Sequence, residues 1–274
     1  MITLKGLDDS IGVTVTDPLF HKTRPDDEED THCGWVFDDS DDKFLEGAKT
    51  VRKFYENHSD TAYKFTVPIL YDKVRKEIVN NESSEILRMI GQEMNSFATK
   101  NQDWDPYPDT LKESIDSVNE WIYPKINNGV YRSGFASTQE AYDAAVNDVF
   151  EALDKVEEIL SKQRYIASPT DITEADIRLF VTLVRFDEVY HGHFKCNRKY
   201  VREYEHITNY VRELYQITGM DQTVNMYHIK QHYHRSHESI NKFGIVPVGS
   251  NTEKDFKKSH NRHELFPLDH LSLY

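Results

Sequence analysis

Apolar residues recur along this chain in two rhythms. In residues 11–16, IGVTVT, they alternate, which predicts a strand closed by Asp17-Pro18. A polar, acidic loop follows as far as Trp35. From Phe44 the apolar positions Phe44, Ala48, Val51 and Tyr55 fall at helical spacing. Residues 61–71, TAYKFTVPILY, are rich in strand formers yet contain Pro68, which cannot donate a ladder hydrogen bond. Two readings fit: a plain edge strand, or a cis Val67–Pro68 bond that turns the backbone towards a ligand. A charged turn leads to a short strand at Glu77-Ile78-Val79. ESSEILRMIGQEM then begins a helix with Ile86, Ile90 and Met94 on one face.

After Gln102-Asp103 the alternation stops. Leu111, Ile115, Val118 and Ile122 form one helical stripe, and Tyr142, Val146, Val149, Leu153, Val156 and Leu160 a longer one. Thr173 and Asp176 make a capping box, with Ile172 and Ile177 as its hydrophobic staple, so a helix starts at ITEAD. Val201, Tyr204, Ile207, Val211 and Leu214 predict another helix. The chain therefore divides into a mixed α/β part at 1–100, an all-helical part at 104–249 and a polar tail at 250–274. That tail has few core candidates before LFPL, which predicts a wrapping segment or disorder.

The bulk properties narrow the partners. A formal charge of −14 argues against nucleic acid and against anionic membrane surfaces, since both need a basic face. No apolar run approaches the ~18 residues of a membrane span, and MITLKGLDDS lacks a secretory h-region. Two cysteines, Cys33 and Cys196, are too few for a disulfide framework, which fits a reducing cytoplasm. Sixteen tyrosines and 14 phenylalanines suggest an aromatic-lined cavity or a core built from rings. The acidic runs at 26–30 and 38–42 lack calcium-loop spacing and read as solvated loops. His228, His232, His234 and His237 cluster in YHIKQHYHRSH. No cysteine or HExxH glutamate accompanies them, so they read as polar surface or pocket lining rather than a metal site. Asp116 and Glu120 share a helix face and read as a solvated pair rather than an acid–base couple.

FTVPILYD, IVNNESSEI, EWIYPKINNGVY, TEADIRLFVTLVRFD, GHFKCN, HIKQHY and GIVPVG, in that order, closely resemble the glutathionyl-hydroquinone reductases. These are the Xi class of glutathione transferases, and the likeness covers roughly residues 3–249. It implies a thioredoxin-like domain followed by an all-α domain, the glutathione transferase fold, in a cytoplasmic homodimer. Glutathione would be the co-substrate, with no metal, and glutathionyl-hydroquinones the substrates. By the same resemblance Val67, before a cis Pro68, offers its backbone to the cysteinyl part of glutathione. Glu82 and Ser83 hold the γ-glutamyl end, and Trp35 lines the site. Each also has a plainer reading: Trp35 as core packing, Glu82-Ser83 as a helix cap. Lys64 stands where relatives often carry arginine, which keeps the charge but loses the planar fork. Tyr131 and Tyr233 resemble the tyrosines that contact the hydroquinone, and either could equally be a buried phenol with a satisfied hydroxyl.

One departure bears on the chemistry. In the family a Cys-Pro-Trp-Ala motif carries the nucleophile, and a segment like MITLKGLDDSI comes just after it. The resemblance thus places the nucleophile and the first strand upstream of Met1, leaving a shortened thioredoxin-like sheet. Three explanations stay open: a partial chain of a normal enzyme, a binding protein without turnover, or Cys33 as a substitute thiol beside Trp35. A helical dimerisation module is the remaining alternative. Cys196 reads as buried and inert.

Overall fold

The computed structural model describes residues 1–37, 43–58, 64–268 and 273; the acidic run at 38–42 lies outside them. A one-turn helix α1 (Ile2–Lys5) ends at Gly6, whose left-handed backbone (φ 59°) closes the turn. Two short hairpins follow. β1 (Phe20–Lys22) pairs antiparallel with β2 (Cys33–Trp35), setting Phe20 opposite Trp35 and Lys22 opposite Cys33. After helix α2 (Val51–His58), β3 (Leu70–Asp72) pairs antiparallel with β4 (Glu77–Asn80). Helix α3 (Ser83–Arg88) then runs on into a wide turn at Met89–Glu93.

Three expectations change here. Residues 11–16 lie outside the assigned strands, so alternation alone did not make a ladder there. The helix expected from Phe44 starts only at Val51, because Glu46 and Gly47 take positive φ and break the turn. The strand expected before Pro68 begins only at Leu70, beyond the proline.

The helical part follows its stripes closely. It comprises α4 (Lys112–Ile122), α5 (Gly129–Gly134), α6 (Gln139–Leu160), α7 (Glu174–Arg185), α8 (Glu205–Gln216) and α9 (Met226–Ser236). The start of α7 is set as expected, the Thr173 N–H donating to Asp176 Oδ2 at 2.8 Å. Wide i→i+5 turns extend α4 and α7, with Asn128 N–H bonded to Tyr123 O at 2.8 Å and His191 N–H to Phe186 O at 2.9 Å. One continuous core joins these helices, with Ile115, Ile122, Val149, Leu153 and Ile207 wholly buried in it.

The tail wraps. Its short helices α10 (Thr252–Phe256) and α11 (Arg262–Leu265) pack against α8, and Arg262 is fully buried. Its guanidinium donates to the carbonyls of Leu160 (2.7 Å), Gln163 (2.9 Å) and Arg164. A polar composition misleads here because one arginine can satisfy several orphan carbonyls at a helix end.

Arg88 of α3 ties the two parts together. It makes a bidentate pair with Glu174 at 2.7 and 2.9 Å, bonds Asp116 at 3.0 Å and lies 3.7 Å over the Tyr107 ring. Asp116 also accepts from the Tyr107 hydroxyl at 2.7 Å, so it joins the two parts instead of pairing with Glu120.

Candidate functional site

The Val67–Pro68 bond is cis, the second of the two readings of that proline. The residue before it is pinned: Tyr55 OH donates to Thr66 O at 2.9 Å, and Asn81 Nδ2 to Thr66 Oγ1 at 3.2 Å. Val67 itself is 38% exposed, and among the described residues its N–H and C=O have no hydrogen-bond partner. The Asn81 bond brings this backbone beside the start of α3. Glu82 occupies the N-cap there, its N–H bonded to Asn80 Oδ1 at 2.7 Å, but its side chain caps nothing. Glu82 and Ser83 are both exposed, so the plain capping role does not account for their side chains. The orphan amides of the first turn of α3 lie alongside. Lys64 is exposed and unpaired among the described residues. An apolar groove of about 870 Å³ runs from Val67 and Pro68 past residues 10–16 to Ile86 and Ile90.

Trp35 is not among the residues lining that groove and sits in the first hairpin. The alternation of β2 puts Cys33 and Trp35 on one face, with Phe20 of β1 packed edge-on to the indole at 4.8 Å. His232 of α9 stacks on that indole at 4.4 Å and 24°, and its Nδ1 lies 2.9 Å from Pro18 O. A carbonyl only accepts, so Nδ1 carries the proton. Burial holds this imidazole below its ordinary pKa and keeps it neutral. Ser236 adds a second tie by accepting from Phe20 N–H at 2.9 Å. Helix α9 thus fixes the hairpin that presents Trp35, and it was not anticipated as a helix. The i, i+4 spacing of His228 and His232 was its one visible signal.

The predicted tyrosines meet one ring further on. Tyr131 of α5 is 37% exposed and its hydroxyl bonds that of Tyr233, which in turn lies 2.8 Å from the Tyr190 hydroxyl. Tyr190 went unnoticed in the sequence. It sits in the wide turn after α7, four residues before Phe194, whose ring stacks on it at 5.5 Å. Burial, then the neighbouring phenols, push Tyr190 and Tyr233 well above the ordinary tyrosine pKa. They act at neutral pH as hydrogen-bonding phenols and not as phenolates. The ring of His232 is 5.3 Å from that of Tyr233, so one imidazole separates Trp35 from the tyrosine cluster.

His193 and His237 back this cluster, their Nε2 and Nδ1 atoms 3.1 Å apart. Burial first, and the adjoining imidazoles second, lower His193 to about 3 and His237 to about 4. Among the described residues no three His, Cys, Asp or Glu side chains converge to hold a metal. Of the two thiols, Cys196 is fully buried and pushed up to about 12 by desolvation, which keeps it protonated. Cys33 is exposed at the first position of β2, opposite Lys22. Among the described residues no helix is long and apolar enough to cross a membrane.

Known proteins resemble this chain in sequence and fold. The model of the glutathione S-transferase C-terminal domain matches residues 139–213, which span α6 to α8. The glutathionyl-hydroquinone reductase YqjG of Escherichia coli (strain K12) is 43% identical over 272 residues, covering 96% of this chain and 77% of the relative. Its glutathione-bound structure superposes with a TM-score of 0.85 at 41% identity, over 95% of this chain and 82% of that one. The Xi glutathione transferase of Phanerochaete chrysosporium gives 0.83 at 44% identity, over 91% and 84%. With identity at this level spread across nearly the whole chain, the protein belongs to the glutathionyl-hydroquinone reductases, the Xi class of glutathione transferases.

Proposed function

We propose that this protein binds glutathione along Val67, Glu82, Ser83 and Trp35 and an aromatic ring at Tyr131 and Tyr233, and serves the reduction of glutathionyl-hydroquinones. The observation that carries this reading is the single imidazole between Trp35 and Tyr233. A glutathionyl-hydroquinone has its tripeptide and ring joined by one carbon–sulfur bond, so its two half-sites must adjoin. The free Val67 amide and carbonyl suit the cysteinyl peptide in strand-like pairing. Glu82 suits the γ-glutamyl ammonium, and the first-turn amides of α3 suit its carboxylate. Lys64 adds a point charge near the tripeptide. Tyr131 and Tyr233 can hydrogen-bond the ring oxygens.

In the reaction a thiolate attacks the glutathionyl sulfur. The carbon–sulfur bond breaks, and its electron pair with a proton leaves a C–H bond on the ring. The mixed disulfide so formed is attacked by a second glutathione thiolate, releasing glutathione disulfide and restoring the thiol. Of this chain's cysteines Cys196 is unsuited, and Cys33 shares the face of Trp35 but sits on a strand and not at a helix N-terminus. That placement favours a second reading, a site that binds the conjugate without turnover.

Calorimetric titration with a glutathionyl-hydroquinone, followed by measurement of hydroquinone release in excess glutathione, tests both. The conjugate should bind at least tenfold tighter than glutathione, because its two parts are linked. Binding no tighter than glutathione would overturn the adjoining half-sites. Release that disappears in Cys33→Ser assigns the thiol, and binding without release selects the second reading.

A further inference from the structure

Arg185 ends α7 beside the tyrosine cluster, and its surroundings leave its charge unanswered. It is half-buried, and its guanidinium donates to the carbonyl of Val181 in its own helix. Among the described residues it has no carboxylate partner, although the chain carries 47 acidic residues and a net charge of −14. Every other arginine here that is not exposed has one: Arg52, Arg88, Arg164, Arg178, Arg212 and Arg262.

The two nearest acids in sequence are committed elsewhere. Asp187 accepts from Val201 N–H at 2.6 Å and pairs with Arg202 at 3.4 Å. Glu188 accepts from the N–H groups of Ser250 and Thr252, each at 3.1 Å, and from Lys230 at 3.3 Å. The charge of Arg185 is felt instead at Tyr190, Tyr233 and His232. Those three groups are neutral, so none of them cancels it. A half-buried guanidinium that reaches solvent on one side and neutral rings on the other can take an anion from outside.

We propose that Arg185 is a specificity-determining residue that pairs with a carboxylate on the aromatic ring of the substrate, so that the site prefers acidic hydroquinones over neutral ones. This rests on the ring site placed at Tyr131 and Tyr233. A planar guanidinium can hold a carboxylate through two parallel bonds, while the phenols address the ring hydroxyls.

The test is a calorimetric titration of the full chain with three ligands: glutathione, the glutathione conjugate of hydroquinone, and that of 2,5-dihydroxybenzoate. The carboxylated conjugate should bind about tenfold or more tightly than the plain one, as for a charge-assisted pair. Arg185→Gln should erase that preference and leave the plain conjugate and glutathione unchanged. Arg185→Lys should keep part of it, which separates charge from mere packing. Equal binding of the two conjugates by the wild type, or a preference that survives in Arg185→Gln, overturns the inference and leaves the ring site standing. A loss in Arg185→Gln confined to glutathione also overturns it, by assigning the cation to the tripeptide's own carboxylates. Should neither conjugate bind more tightly than glutathione, the ring site fails and the inference with it.

Discussion

Beyond residue 100 one buried cluster runs from Trp104 to Leu273 and takes in Leu4, whereas the rest of the first region's core breaks into two patches, Leu7–Ile86–Ile90–Ala98 and Leu45–Ala48–Phe54. The two regions would make their halves of the proposed site by opposite means. In the helical region dense packing locates phenols and imidazoles whose hydroxyls and ring nitrogens bond one another. In the first region small patches hold the chain while Val67, Glu82 and Ser83 stay exposed with groups to offer a ligand. A rigid half suits an aromatic ring, which has a fixed shape. Open backbone suits a peptide, which pairs along its length.

That comparison can be broken most severely at the joint. Arg88→Ala would leave Glu174, only 1% exposed, with only the weaker partners Arg178 at 3.6 Å and Asn119 at 3.3 Å, and should cost about 1.5–3 kcal/mol in equilibrium denaturation. Protection from hydrogen exchange should fall first in α3. Uniform loss across both regions would show that they melt as one unit.

Acid should strain the helical region next. An unfolded histidine takes its proton near pH 6.5, whereas folded His193 waits until about 3. Between those values the unfolded state binds more protons, so stability falls as pH drops below about 6.5 and is unaffected above it. The slope from this group is at most about 1.4 kcal/mol per pH unit. His193→Phe should flatten the acid limb by one proton's worth, and an unchanged slope would refute the burial argument.

Glu82→Gln probes the open region for binding alone. Its side chain is exposed and caps nothing, so stability should hold within about 0.5 kcal/mol. Glutathione affinity should fall about tenfold as a charge-assisted bond is lost. Tyr55→Phe removes one bond, to Thr66 O, and should cost about 1 kcal/mol with a several-fold loss of glutathione affinity. The smallest effect is expected for Lys64→Ala: stability unchanged within about 0.5 kcal/mol, and affinity reduced only slightly.

The stripe of Tyr142, Val146, Val149, Leu153, Val156 and Leu160 became α6, and the Thr173–Asp176 box began α7 where its residues said it would. Such signals are local: a 3.6-residue period and a cap lie within a few turns of chain. Pro68 stood out for the same reason, since only proline makes the cis form cheap, but its neighbours left an edge strand open as well. Residues 11–16 had the local signal of a strand without becoming one, because a strand exists only through its neighbour's hydrogen bonds. Tyr190 and helix α9 carried weak local signals, and what makes them part of the site is what they touch.

By itself, then, the sequence determined α4, α6, α7 and α8 of the second region and, through its motifs, the family, whose likeness in turn implied the cis bond at Val67–Pro68. Only the tertiary structure decided that His232 stands between Trp35 and Tyr233, that Arg88 joins the two regions and that, among the described residues, Arg185 has no carboxylate partner. The physical reason is range. Periodicity, caps and proline act over a few residues, whereas a stacked ring, a buried ion pair or an unanswered charge depends on groups tens to hundreds of positions apart.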